Sequence, residues 1–117
     1  MNQEAKNRIA DDVTDSIYGA YPELWERFGE NGYTHTKKDN HHHLDHLETA
    51  YALGQEKVFL DYTEWLDGVL TSRNVGTELI IDNFNRLIDA LPGRAAPEEA
   101  DFMAGCLRRA VRQLEQK

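Results

Sequence analysis

Apolar residues recur every three or four positions along nearly the whole chain, and this spacing leaves little room for anything but helices. Ala5, Ile9, Val13 and Ile17 stand four apart at the start. Phe102, Met103, Cys106, Leu107, Ala110 and Leu114 repeat the pattern at the end. Between them, Val58, Phe59, Tyr62, Trp65, Leu66, Val69 and Leu70 form one wide apolar face. Ile80, Ile81, Phe84, Leu87, Ile88 and Leu91 form another. No stretch alternates apolar and polar residues as a half-buried strand does. The one Asn-Gly pair, in "ENGY", has no strand pattern on either side.

Punctuation places the helix ends. Pro22 suits a first helical position and Gly29 a C-terminal stop, so "YPELWERFG" reads as a short helix anchored by Leu24, Trp25 and Phe28. "ENGYT" then reads as a turn, with Thr34 or Thr36 capping a histidine-rich helix that ends at Gly54. Further helices follow over about 55–72, 77–91 and from Pro97 onward, separated by "SRNVG" and "PGRAAP". Short connections favour antiparallel neighbours. The expectation is an all-α fold: an antiparallel bundle of about five helices plus the short one, in a single domain over residues 1–117. From the initial Met and the unbroken pattern to Lys117, a complete small protein is expected.

Charge narrows the function classes. With 21 acidic and 13 basic residues, the net charge is -8, and the only basic cluster is Arg108, Arg109 and Arg112 on one polar helix face. Nucleic-acid binding is not expected. No apolar run is long enough to span a bilayer and the N-terminus is polar, so no membrane association and a cytoplasmic location are expected. The single cysteine, Cys106, lies on a core stripe and reads as a buried thiol. No phosphate loop, dinucleotide fingerprint, nucleophile elbow or Cys-x-x-Cys occurs, and no nucleophile–base pair stands out, so no enzyme is expected. A pocket lined by aromatics could take a flat cofactor or apolar ligand, but no residue pattern specifies a cofactor.

All five histidines fall between His35 and His46. At ~100° per residue, helical geometry divides them. Thr36, Asn40, Leu44, Leu47, Ala50 and Tyr51 form the stripe that faces the core, with His43 at its edge. His35, Asp39, His42 and His46 share a different flank, and His42 with His46 makes an i, i+4 pair able to chelate a divalent ion. Asp39 would add an oxygen ligand or orient a histidine. This flank is the one candidate metal face. Against it stands the absence of histidine on any other helix, which leaves only carboxylates such as Asp61, Glu64, Asp67, Glu78 and Asp82 to complete a site. A phosphotransfer role is disfavoured, because Asp45 and Glu48 place negative charge beside His43 and His46.

The segment Tyr21–Ile80 carries a longer pattern: Asp39 before His43-Leu44, a helix end at Leu47, Ala50 and Gly54, then Phe59, Tyr62, Trp65 and Leu66, and a turn with Arg73 and Val75. In this it resembles helical-bundle regions found beside cobalamin-binding and other sensory modules of bacterial signalling proteins. The resemblance implies a non-enzymatic regulatory module acting through a protein partner or as a homodimer. It singles out Asp39, His43, Tyr62 and Trp65 as ligand or regulatory candidates, with an Asp39–His43 hydrogen bond holding the ring towards Tyr62 or Trp65. These residues include no Asp-x-His-x-x-Gly lower-ligand motif, so cobalamin binding is not expected of this chain alone. Leu60 and Leu79 fall off the main stripes, where they suit a partner interface.

Overall fold

A computed structural model describes residues 1–117. Five helices and no strand make up the fold: α1 (Gln3–Ala20), α2 (Glu23–Leu53), α3 (Glu56–Ser72), α4 (Thr77–Ala90) and α5 (Pro97–Glu115). The all-α helical bundle expected from apolar spacing is the fold observed. No helix is long and apolar enough to cross a membrane.

Local chemistry accounts for the ends. The Asn2 side chain accepts a hydrogen bond from the Ala5 N–H at 2.8 Å and starts α1. Gly54 ends α2 in the left-handed region, with φ 65°, where its N–H closes on the carbonyls of Ala50 and Tyr51. Pro97 opens α5, its missing N–H being one that a first turn leaves free.

Between α1 and α3 the structure corrects the expected division. The short helix and the histidine helix are one element, α2, kinked at Gly29 (φ 63°, ψ -160°). "ENGYT" is helical and not a turn. Thr36 caps nothing; its hydroxyl donates back to the Gly32 carbonyl at 2.9 Å, one turn earlier. The segment before the kink, here the α2 arm, folds over α1 and the α3–α4 turn.

The core runs through the middle of the bundle. Ile9, Leu44, Leu47, Phe59, Phe84, Leu87, Leu91, Met103 and Leu107 are fully buried, each side chain contributing about 1.5–3 kcal/mol of transfer free energy. Cys106 is also fully buried, and burial pushes its thiol up to about 11. The two tryptophans were expected in the core and are not: Trp25 is 43% and Trp65 61% exposed. Trp25 instead stacks on Tyr33, with ring centroids 5.3 Å apart and planes 12° from parallel. Leu60 is partly buried against the core, and Leu79 packs against the core and lines a cavity between helices, so neither stands free on the surface.

Candidate functional site

The histidine stripe continues into the interior at His43. Asn40, His43, Leu44, Leu47 and Ala50 all face inward, so the core-facing stripe lies where helical spacing puts it. His43 is not at its edge but 3% exposed. A buried imidazole needs polar partners. Its Nδ1 lies 2.6 Å from the Tyr62 hydroxyl, on α3. Phe84 of α4 meets the ring edge-on, with centroids 5.2 Å apart. The expected Asp39–His43 hydrogen bond is absent; Tyr62 takes that place from across the helix interface.

Protonation follows from burial. Burial, followed by the nearby His42 and His46, pushes the His43 pKa down to about 3, so the ring is neutral at pH 7. Burial, followed by the charges of Asp39 and Asp45, pushes the Tyr62 phenol well above its usual range, so it keeps its proton. The phenol O–H donates and Nδ1 accepts, which leaves the proton of the neutral ring on Nε2. Nε2 has no hydrogen-bond partner within the protein. His43 therefore presents an N–H donor with no partner in the protein.

His43 lines a cavity of about 340 Å³. Four elements enclose it. The α2 arm supplies Leu24 and Phe28; α1 supplies Ile17 and Tyr18; the end of α3 and its turn supply Leu70, Arg73 and Val75; α4 supplies Leu79 and Ile80. The histidine portion of α2 closes the last side with His35, Asp39 and His43. Two contacts hold the walls. The Arg27 guanidinium donates to the Asn74 carbonyl at 3.3 Å, tying the α2 arm to the α3–α4 turn. Asn40 and Asn83 exchange two side-chain hydrogen bonds, of 3.1 and 2.7 Å, and Asn40 donates a third to the Thr36 carbonyl at 3.0 Å.

Asp39 has a different environment. Its carboxylate takes part in no hydrogen bond or ion pair. Burial raises its pKa, against the opposing pull of His42, His35 and Arg73. Arg73 likewise pairs with no carboxylate, although it lines the same cavity.

The four residues of the expected metal face are divided among different surroundings. His35 and Asp39 line the cavity. His46 lies flat on Tyr62, with centroids 3.8 Å apart and planes 15° from parallel, and its Nδ1 is 2.8 Å from the His42 carbonyl. His42 is exposed. No three His, Cys, Asp or Glu side chains stand together in an arrangement that could hold a metal ion. Of the other candidates, Asp39, His43 and Tyr62 converge, whereas Trp65 turns to solvent, its centroid 6.1 Å from that of Tyr62.

Sequence reasoning did not single out Asn40 and Asn83 as a pair, or Arg73 and Leu79 as cavity walls. The asparagines left a signal: each interrupts an otherwise apolar inward stripe. The cavity walls left none, since the cavity exists only because the α2 arm bends back at Gly29. The chain matches no protein-family model, no curated protein and no solved structure.

Proposed function

We propose that this chain is a non-enzymatic, cytoplasmic regulatory module of the bacterial signalling kind, which senses a small ligand and passes the signal on by protein contact. One observation carries the reading: a cavity of about 340 Å³, mostly apolar, lined by the neutral His43, whose Nε2–H has no partner in the protein. Small-molecule sites have this character, an apolar concavity with a few convergent polar groups. Four helices and the α3–α4 turn meet around the cavity. A ligand that fills it bears at once on the α2 arm, α1 and the α3–α4 turn, which is a physical route from occupancy to surface shape. At pH 7 the neutral His43 serves as a hydrogen-bond donor and binds without doing chemistry.

The test is binding of N-phenyl-1-naphthylamine, an uncharged fluorescent probe. The wild type is expected to bind one probe per chain with a rise in emission, and Leu79→Trp, which fills the cavity, to bind none while melting cooperatively. No binding by the wild type, or equal binding by Leu79→Trp, defeats the reading. The output side, a homodimer or another protein partner, is read by sedimentation velocity over a wide concentration range. A strict monomer throughout defeats the homodimer.

A further inference from the structure

The cavity carries two opposite charges that are not in contact. Asp39 and Arg73 both line it, yet neither forms an ion pair. A half-buried carboxylate without a partner is costly, and burial indeed shifts Asp39 towards its neutral form. The Arg73 guanidinium stands at the exposed rim of the cavity and pairs with no carboxylate, so its planar fork is free to take one. Beside them sits the His43 Nε2–H, a third polar group with no protein partner. The rest of the wall is mostly apolar, with His35, Thr36 and Asn83 as further polar side chains on it.

We propose that the cavity binds a free hydrophobic α-amino acid. Its ammonium group lies against Asp39, its carboxylate against Arg73 and the His43 Nε2–H, and its side chain among Leu24, Leu79 and Ile80. This assignment deepens the ligand-sensing reading and rests on it. A ligand with an amine alone would leave Arg73 and the His43 N–H unanswered and would face their positive ends. One with a carboxylate alone would face Asp39. A zwitterion answers all three polar groups, and charge-assisted hydrogen bonds of both signs then form. The cavity's size, at the small end for ligand sites, suits a single amino acid.

Isothermal titration calorimetry with L-leucine and L-phenylalanine tests this, alongside N-acetyl-L-leucine, which lacks the cation, and L-leucinamide, which lacks the anion. L-leucine or L-phenylalanine should bind one per chain. Each blocked form should bind at least about tenfold more weakly than L-leucine. Asp39→Asn should erase the preference for L-leucine over N-acetyl-L-leucine, and Arg73→Gln the preference over L-leucinamide. Neither side chain supports the fold through a hydrogen bond or ion pair, so both variants should fold, and a thermal melt checks this. Blocked forms that bind as well as L-leucine overturn the proposal. If the uncharged naphthylamine probe binds and neither amino acid does, the zwitterion assignment falls while ligand sensing stands. If nothing binds, both fall.

Discussion

His43 Nδ1 and the Tyr62 hydroxyl oxygen lie 2.6 Å apart across the interface of α2 and α3, and this contact places the imidazole proton on the opposite nitrogen. Tyr62→Phe removes the donor and leaves a buried acceptor without a partner. The expected cost is about 1–3 kcal/mol. A second readout is independent of stability. In the wild type, nitrogen-detected NMR of the imidazole should show the Nε2–H tautomer. In Tyr62→Phe that preference should weaken, because nothing then donates to Nδ1. An Nδ1–H tautomer in the wild type would contradict the assigned direction of the bond.

Acid should weaken the fold through the same residue. The His43 pKa is about 3 in the folded chain against an ordinary 6.5. The unfolded chain therefore binds more protons between these values. The contribution of His43 is fully present above pH 6.5 and is lost as pH falls towards 3, by on the order of 5 kcal/mol in all. Asp39 runs the other way. Its folded pKa is raised, so its contribution is complete below its ordinary 3.8 and is lost as pH rises through the folded value. Asp39→Asn should accordingly raise the melting temperature at pH 7. Urea midpoints from pH 7 to pH 4 should fall steeply for the wild type and less steeply for His43→Leu. Parallel curves would rule out His43 as the origin.

The buried asparagines should behave as one unit. Asn40 is fully buried and Asn83 nearly so, and each amide satisfies the other. Asn83→Leu strands the Asn40 amide and should cost about 1–3 kcal/mol. The double variant Asn40→Leu/Asn83→Leu strands no side-chain amide and should recover much of that loss. A denaturant-melt double-mutant cycle measures the coupling, and additive losses would show that the two amides do not depend on each other.

The bundle was legible because core packing and helix periodicity agree along most of the chain. Leu44, Leu47 and Ala50 lie inward as their spacing requires, and Gly54 and Pro97 mark helix ends by fixed backbone chemistry. The site was legible in part. His43 on an apolar stripe signalled burial, but its partner came from another helix, and Tyr62 displaced the nearer Asp39. The tryptophans mislead because helical spacing puts each beside core residues while the ring itself stays at the rim of the stripe. Trp25 covers Tyr18 and Tyr33 from outside, with centroids 4.8 and 5.3 Å away. The cavity was hidden because one backbone angle creates it, and a glycine followed by Asn-Gly reads as an ending when it is a bend.

That bend yields a prediction of sign. Gly29 holds φ 63° and ψ -160°, a combination open almost only to glycine. Gly29→Ala should destabilise by about 1–3 kcal/mol although its Cβ would meet nothing. Gly32 is constrained differently. It is helical, but a Cβ there would collide with Phe28 and come within 2.8 Å of the Tyr18 hydroxyl, both side chains being cavity walls. Gly32→Ala should therefore destabilise and also weaken binding of the naphthylamine probe. Gly68 sits exposed within α3, with open space where a Cβ would go. There alanine removes unfolded-state freedom at no steric cost, so Gly68→Ala should stabilise by about 0.4–1 kcal/mol. Thermal melts of the three variants should thus split, two down and one up. A stabilised Gly29→Ala would mean that α2 runs straight through position 29, and with a straight α2 there would be no arm to close the cavity.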